Sequence, residues 1–297
     1  MRIVTRPDFD GVVCAVLLHQ AENITEPIKW VQPGNIQKDR VPIYRDDIIA
    51  NLPFQKNCAL WFDHHFSNRL QQPFKGAFSI APSAAGVVFN YYNGKFNRDY
   101  TELVEMTDKI DSANLTENEV NSPENDVYIL LSMTINGRIT TDEPYWNRLV
   151  DLFRTTNIDG VIADPEVKRR CRRVVEDNRL YRQLLIAHTR LEKHVSVTDF
   201  RPLLPAPDGN RFLVYVLFSE AVVSVRICHD DQTGENIIVN VGHSIFNRNC
   251  HVNLGHMLTQ FEGGGHPGAA SCTFHKSKAD EYIPQIIATL VKNKPNT

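Results

Sequence analysis

The stretch RIVTRPDFDGVV, residues 2–13, combines an apolar strand, an acidic turn and the start of an apolar helix. Residues 2–5 predict a short strand, and the run from Val12 to Gln20 predicts a helix. The turn between them carries Asp8 and Asp10. In a parallel α/β sheet such a turn lies at the carboxyl edge, where ligands bind. The two acids therefore predict a cation site at this edge, although Asp and Gly are also common turn residues.

Strand and helix signals alternate through the rest of the first half. Further strands are predicted at 28–31, 47–51 and 58–62, and helices at 84–92 and 100–110, with Ser83 and Asp99 as caps. Strands that alternate with helices favour a parallel sheet covered on both faces. The first half is therefore predicted to be an α/β domain.

The pattern changes in the second half. Asp164-Pro165 predicts the start of a long helix that ends near Arg190. Short β runs follow, at 195–197, 212–218, 222–228 and 237–241. This arrangement predicts a smaller α+β domain after the long helix.

Composition excludes several classes of protein. The 297 residues are 42% hydrophobic and 23% charged, which is typical of a globular protein rather than a disordered or collagen-like chain. Lys plus Arg number 32 against 35 Asp plus Glu, a balance that does not favour a bulk DNA-coating protein. The six cysteines form no Cys-x-x-Cys pair, and we find neither an export signal nor an apolar stretch of about 18 residues. We therefore expect a cytoplasmic protein with reduced thiols and no membrane partner.

A second polar motif, Asp63-His64-His65, follows the predicted strand at 58–62. Three metal-capable side chains at a strand end are costly unless they are used. Imidazole and carboxylate together suit Mn, Fe, Co or Zn better than Ca. A structural role, with the ring satisfied by a backbone carbonyl, is an alternative for one His. Asp111 ends a predicted helix and is a further candidate, with Asp108 as its rival; either acid could instead be a solvent-exposed helix end.

The segment Gly263-Gly264-Gly265-His266-Pro267-Gly268 has the composition of an anion-binding loop. Consecutive glycines let backbone N–H groups approach a phosphate, and His266 adds a donor. The alternative is a flexible turn. A zinc cluster of the Cys and His residues in the second domain is disfavoured because their spacings match no structural zinc pattern; these residues are Cys228, His229, Cys250, His251 and His256.

The chain resembles the DHH phosphoesterase superfamily with its DHHA1 domain. It carries the motifs of that superfamily in the same order: Asp-x-Asp-Gly, Asp-His-His, an Asp after a helix, and Gly-Gly-Gly-His-Pro-Gly-Ala-Ala. The superfamily includes nano-RNases and adenosine-bisphosphate phosphatases, exopolyphosphatases, single-strand DNA exonucleases and family II pyrophosphatases. The resemblance spans almost the whole chain. It implies an α/β fold with an N-terminal parallel-sheet DHH domain at 1–163, a connecting helix at 164–192 and a smaller α+β DHHA1 domain with a mixed sheet at 193–297.

The resemblance also implies roles for individual residues. The DHH domain would hold a two-metal site, usually with Mn²⁺ or Mg²⁺, and the DHHA1 domain would bind the substrate. The implied metal ligands are Asp8, Asp10, Asp63, His64, Asp111 and Asn51. The implied catalytic residues are Asp8 and Asp10, which orient water, and His65, a donor or general acid near the transferred phosphoryl group. The implied substrate-binding residues are Arg226, Gly263, Gly264, Gly265, His266 and, as a second cation, Arg248.

Three positions depart from the family pattern. Val4 stands four residues before Asp8, where the closest subfamilies have a His, and Arg6 stands where other members have a His or Asp. Asn51 stands where the family keeps a bridging Asp. Two neighbouring dications need anionic bridges to offset their repulsion. We therefore expect one firmly bound ion, with a second recruited only together with substrate phosphate.

Two functions are compatible with these motifs. The first is a metal-dependent phosphoesterase or phosphoanhydride hydrolase, exopolyphosphatase- or oligoribonuclease-like, that acts on a short single-stranded oligonucleotide, a nucleotide phosphate or polyphosphate. The alternative is a regulatory protein with a degenerate site that binds a nucleotide or polyphosphate and has little hydrolase activity. The retained acids and histidines favour the hydrolase. Relatives are often dimers, so a homodimer is among the assemblies that the resemblance implies.

Overall fold

The computed structural model describes residues 1–93, 96–230 and 233–296. The chain forms two compact units. Unit 1 comprises Met1–Leu115 and Pro123–Val174, and unit 2 comprises Thr116–Ser122 and Val175–Thr297. Within the described ranges, no helix is both long and apolar enough to cross a bilayer.

The helices and strands are numbered in chain order over the described residues. The α-helices are α1 Phe9–Ala21, α2 Pro33–Gln37, α3 Ala84–Tyr91, α4 Thr101–Asp111, α5 Glu117–Asn121, α6 Val127–Ser132, α7 Glu143–Thr155, α8 Ile158–Ala163, α9 Pro165–His188, α10 Leu213–Leu217, α11 Leu254–Leu258 and α12 Ala279–Lys292. The strands are β1 Arg2–Thr5, β2 Lys29–Trp30, β3 Asp47–Ala50, β4 Leu60–Asp63, β5 Gly76–Phe78, β6 Thr189–Glu192, β7 Val195–Asp199, β8 Val223–His229, β9 Asn236–His243, β10 Gly263–His266 and β11 Ala269–His275.

Unit 1 contains a parallel sheet of five strands in the order β2-β1-β3-β4-β5. Alternate residues along its strands enter two different hydrophobic cores. Ile3, Ile48 and Phe62 pack with helix α1 on one face, whereas Val4, Ile49 and Trp61 pack on the other. The predicted parallel sheet with two covered faces is confirmed. Because all strands run in the same direction, the loops that follow β1, β3 and β4 share one edge of the sheet.

Unit 2 contains a mixed sheet of six strands in the order β10-β11-β9-β8-β7-β6. Strands β7 and β8 are parallel, and the other neighbours are antiparallel. Val225, Val241 and Cys272 lie on the buried face, where α12 contributes Ile286 and Leu290 to the core. The predicted smaller α+β domain with a mixed sheet is confirmed.

One predicted strand is wrong. The run from Phe212 to Phe218 forms helix α10 rather than a strand. The helix follows Asn210, whose side-chain oxygen accepts the N–H of Phe212 at 3.1 Å. A continuous apolar run of this length fits a buried strand and a buried helical turn equally well, so periodicity does not distinguish them.

Candidate metal centre

Four polar side chains meet at the carboxyl edge of the unit 1 sheet. Asp10 lies in the first turn of α1, Asn51 follows β3, His64 follows β4, and Asp111 ends α4. The Nε2 atom of His64 lies 3.3 Å from Oδ2 of Asp111 and 3.9 Å from Oδ2 of Asp10. One ligand atom from each of these three residues lies within 4.8 Å of the other two, as a shared metal ion requires.

The ring of His64 is oriented for ligation. Its Nδ1 lies 2.9 Å from the carbonyl oxygen of Ala81, which only a protonated Nδ1 can satisfy as a donor. In the neutral tautomer that this contact selects, Nε2 carries the lone pair and faces the two carboxylates. This Nε2 is buried and has no hydrogen-bond partner among the described residues. A buried lone pair without a partner is costly, and a cation at this point would satisfy it.

The two acids of this group are held in a strongly negative pocket. Asp10 is buried and accepts the backbone N–H groups of Ala84 and Ala85, at 3.0 and 2.7 Å, from the first turn of α3. Burial and the neighbouring Asp8 raise the pKa of Asp10 to about 7. Burial, Asp10 and Asp8 likewise raise the pKa of Asp111 to about 7. Charged carboxylates are therefore unfavourable here until a cation neutralises them, and the donor set fits a divalent ion.

Asp108 and Asp111, the rival candidates on α4, make different contacts. Asp108 accepts a hydrogen bond of 2.5 Å from the Ser83 hydroxyl, which also caps α3 by accepting the N–H of Gly86. Asp111 instead contacts His64. Asp108 therefore supports the start of α3, and Asp111 belongs to the candidate metal group.

Asp63 and His65 form a second polar pair beside this group. Asp63 is fully buried, and its Oδ1 lies 2.8 Å from Nδ1 of His65. Its Oδ2 accepts the side-chain amide of Asn68 at 2.6 Å. The hydrogen bond that His65 donates to Asp63 raises the pKa of His65, because the carboxylate stabilises the imidazolium. Asp63, His64 and His65 are also close enough to hold a metal, but both oxygens of Asp63 already accept hydrogen bonds. The Asp10 group is thus better prepared for a cation.

The side chain of Asp8 already accepts several hydrogen-bond donors. Its Oδ1 accepts the backbone N–H of Gly11 at 2.8 Å, as the cap of α1, and the Asn51 side-chain amide at 3.0 Å. Its Oδ2 lies 3.0 Å from Nε of Arg6 in an ion pair. Val4, the position at which the resemblance implies a metal-binding His in related subfamilies, is apolar and fully buried.

The glycine-rich segment of unit 2 is the edge strand β10, paired with β11, rather than a free loop. Register places Arg226 opposite Asn240, Asn240 opposite Ser271, and Ser271 opposite Gly264. Residues that face one another in register share a face of the sheet, so this polar row lies opposite the hydrophobic core. His266 is exposed and two residues from Gly264, and therefore lies on the same face.

The two arginines of unit 2 differ in their surroundings. Arg226 donates to the carbonyl oxygen of Pro207 at 2.7 Å and lies over the Phe200 ring. Arg248 is exposed, and its Nε donates to the carbonyl oxygen of Ile245 at 3.1 Å. Arg226 is therefore held in place within the sheet, whereas Arg248 presents its guanidinium at the surface.

Two groups of Asp, Glu, His or Cys among the described residues can hold a metal, and both lie in unit 1. The Cys and His residues considered as a zinc cluster belong to neither group. Sequence reasoning missed the Ala81 carbonyl, which selects the tautomer of His64. No local pattern signals that contact, because it joins residues 17 positions apart.

No family model and no curated protein sequence matches the chain. Among solved structures, the pGpG-specific phosphodiesterase PggH from Vibrio cholerae has a TM-score of 0.84 and 31% sequence identity, over 99% of each chain. Exonuclease RecJ bound to manganese has a TM-score of 0.58 and 13% identity, over 99% of this chain and 90% of that one. RecJ from Thermus thermophilus in complex with Mn²⁺ has a TM-score of 0.58 and 12% identity, over 100% of this chain and 52% of that one. The RecJ likeness concerns the fold alone.

Proposed function

The chain belongs to the DHH/DHHA1 phosphoesterase superfamily, and we propose that it is a metal-dependent phosphodiesterase that cleaves short oligonucleotides such as pGpG. The single observation that carries this proposal is the buried, unpartnered Nε2 of His64, which faces two carboxylates. The 31% identity to a pGpG-specific phosphodiesterase over 99% of both chains supports a linear dinucleotide as the substrate.

Asp10, His64 and Asp111 would hold the divalent ion, Mn²⁺ or Mg²⁺. Such an ion polarises a phosphoryl oxygen and makes water more acidic. Asn51 offers a further ligand atom, because its Oδ1 is buried and has no hydrogen-bond partner among the described residues. Asp8 and Asp63 were also predicted as ligands, and that prediction stays open; the hydrogen bonds that both already accept favour positioning roles.

We assign the proton transfer to His65. Its Nδ1 is held by Asp63, so the opposite nitrogen, Nε2, is the one available to a substrate. The raised pKa keeps the ring protonated at a higher pH than an ordinary His. Nε2–H can then donate its proton to the oxygen of the leaving group, as a general acid. Asp8 and Asp10, on the same turn, remain the groups proposed to orient water.

The substrate-binding groups of unit 2 are proposed from its polar sheet face. Arg226 provides a fixed positive charge, and Arg248 provides a second one. Gly264 leaves space for a close approach, since a Cβ built there would meet no atom within 4 Å. His266 adds an exposed donor. Together these groups suit a phosphate or a nucleotide.

The experiment is a hydrolysis assay on a panel of pGpG, longer oligoribonucleotides, 3′-phosphoadenosine phosphate and polyphosphate, with Mn²⁺ or with EDTA. We expect Mn²⁺-dependent release of GMP from pGpG. Asp10→Asn should abolish it, and Asp39→Asn, at an exposed acid of the same unit, should not. Hydrolysis of polyphosphate alone would favour the exopolyphosphatase interpretation.

Binding of pGpG without hydrolysis of any member of the panel would favour the regulatory alternative. A location in the cytoplasm stays a prediction from the sequence, and assembly as a homodimer stays a prediction from the resemblance.

A further inference from the structure

Burial raises the pKa of Asp8, and the Arg6 guanidinium and the donors around the carboxylate counteract this effect. A carboxylate offers about four lone-pair sites. Gly11 and Asn51 each donate a hydrogen bond to Oδ1, and the Arg6 guanidinium lies 3.0 Å from Oδ2 in an ion pair. A second metal ion at Asp8 would have to displace the guanidinium or the amide.

Asn51 is committed to this arrangement. It has a left-handed backbone, with φ of 57°, and is 1% exposed. Its NH₂ group donates to Asp8, which only an amide, not a carboxylate, can do at neutral pH. Its Oδ1 therefore points away from Asp8. An Asp at position 51 would place a second carboxylate next to that of Asp8. The neutral Asn51 amide instead suits an Asp8 whose ion-pair partner is a cation of the protein itself, the Arg6 guanidinium.

Charge balance leads to the same conclusion. A divalent ion at His64 and the Arg6 guanidinium together carry three positive charges, which match the carboxylates of Asp8, Asp10 and Asp111. A second divalent ion would leave an excess of two positive charges in one pocket. Two divalent ions and a guanidinium that share one pocket would repel one another.

We propose that the guanidinium of Arg6 takes the place of a second metal ion and binds a non-bridging oxygen pair of the substrate phosphate. This inference rests on the proposed function. Nε of Arg6 contacts Asp8, and among the described residues its two Nη groups have no protein partner. The side chain is 39% exposed, so these donors are accessible. A guanidinium offers the planar pair of N–H donors that fits two phosphate oxygens.

Arg6 also lies within electrostatic range of the proposed general acid, His65. Both Asp8 and His65 experience the charge of Arg6, which stabilises the carboxylate and disfavours the imidazolium. A phosphate bound to Arg6 would therefore lie in the part of unit 1 that also holds Asp8 and His65. In this position Arg6 would neutralise the charge that develops on the transferred phosphoryl group.

The test compares Arg6→Gln with Arg40→Gln, which removes an exposed arginine of the same unit. Mn²⁺ bound per chain is measured by calorimetric titration and elemental analysis, and GMP serves as the phosphate probe for the Mn²⁺-loaded protein. We expect one Mn²⁺ per chain in the unmodified protein and in both variants. Arg6→Gln should weaken GMP binding by about tenfold or more, the value of a charge-assisted contact, while Arg40→Gln should not. Arg6→Lys should recover part of the loss.

Two results would overturn the proposal. The first is two Mn²⁺ ions per chain in the unmodified protein. The second is unchanged GMP affinity in Arg6→Gln, provided that Mn²⁺ content and folding match the unmodified protein. Both measurements are independent of turnover. If the chain hydrolyses no phosphodiester, the proposed function fails while the role of Arg6 is still tested.

Discussion

At the scale of the residue, the site depends on which atom of each side chain is left free. The Nδ1 atom of His64 contacts a backbone carbonyl, which leaves Nε2 for another partner. The Nδ1 atom of His65 contacts Asp63, which likewise leaves its Nε2. In the proposed function, the adjacent histidines would therefore have different chemistry, one as a metal ligand and the other as a proton donor. The hydrogen bond at the first ring nitrogen makes that distinction.

The Asp63–His65 pair predicts the pH dependence of turnover. Asp63 raises the pKa of His65, and the reaction as proposed needs the protonated ring. Activity should therefore fall as pH rises through that pKa. Asp63→Asn should lower the pKa and move the falling limb to lower pH. The measurement is the pH profile of kcat, with NMR titration of His65 in the metal-free protein. If the falling limb of the pH profile lies at the same pH in Asp63→Asn, His65 is not the general acid.

The raised pKa values of Asp10 and Asp111 predict how stability depends on pH. In the folded, metal-free protein both pKa values are about 7, against 3.8 in the unfolded chain. Between these values the unfolded chain has released protons that the folded protein retains, so the unfolding free energy falls as pH rises from about 4 to about 7.

This loss of stability should amount to about 1 kcal/mol or more and should be reversed by Mn²⁺. Urea unfolding at pH 5.5 and pH 8 checks it. Asp10→Asn should reduce the dependence on pH, and Asp39→Asn should preserve it. If the unfolding free energy of Asp10→Asn depends on pH as steeply as that of the unmodified protein, the raised pKa is not that of Asp10.

Asn51 predicts the outcome of restoring the family pattern. Asn51→Asp adds a negative charge beside Asp8 and removes the donor that satisfies it. We expect the triple variant Asn51→Asp, Val4→His, Arg6→His to show a second Mn²⁺ binding step in calorimetric titration. Its affinity for the second Mn²⁺ should be more than tenfold higher than that of Asn51→Asp alone. A titration identical to that of the unmodified protein would show that Asn51 does not lie at the bridging position.

At the scale of the element, the start of α3 is the part of the scaffold that holds the metal group. Its first turn donates to Asp10, and its cap, Ser83, also bonds to Asp108 on α4. Ser83→Ala should cost about 1–2 kcal/mol of unfolding free energy and weaken Mn²⁺ binding. Asn157→Ala, which removes the cap of α8, is the matched control. It should cost similar stability with no change in Mn²⁺ affinity, and equal metal affinities for the two variants would contradict this role of α3.

Local signals were sufficient for most elements of unit 1. The strand at Arg2–Thr5 and the Ser83 cap were predicted correctly because a short apolar run and a capping side chain act within a few residues. Helix α10 was missed because its continuous apolar run has no polar positions whose spacing would distinguish a helix from a strand. The Gly263–His266 strand was missed because three glycines have low strand preference, and pairing with β11 determines their conformation.

The site shows the same division between local and long-range information. Asp8, Asp10 and the Asp-His-His triplet were found because they follow strands of one parallel sheet. The contact between the Asn51 amide and Asp8 could not be derived, because it depends on how β1 and β3 pair in space, and the Arg6–Asp8 ion pair depends on the conformation of the turn after β1. The sequence therefore predicted the candidate residues, and the structure shows which of them contact one another.

At the scale of the whole molecule, metal binding and substrate binding are assigned to different units. His266→Ala should weaken binding of a nucleotide substrate several-fold and leave Mn²⁺ content unchanged, because His266 lies in unit 2 and the metal group in unit 1. His251→Ala, at another exposed histidine of unit 2, is the control. Loss of Mn²⁺ in His266→Ala, to the extent expected for Asp10→Asn, would refute this division.

The most direct test of the account is a stoichiometric reconstitution of activity. Metal-free protein, at a concentration well above its dissociation constant for Mn²⁺, receives increasing Mn²⁺ while the release of GMP from pGpG is recorded. We predict no hydrolysis without metal, a linear rise, and a plateau at one Mn²⁺ per chain. Absence of hydrolysis at every Mn²⁺ level, or a rate that continues to rise up to two ions per chain, would contradict the account.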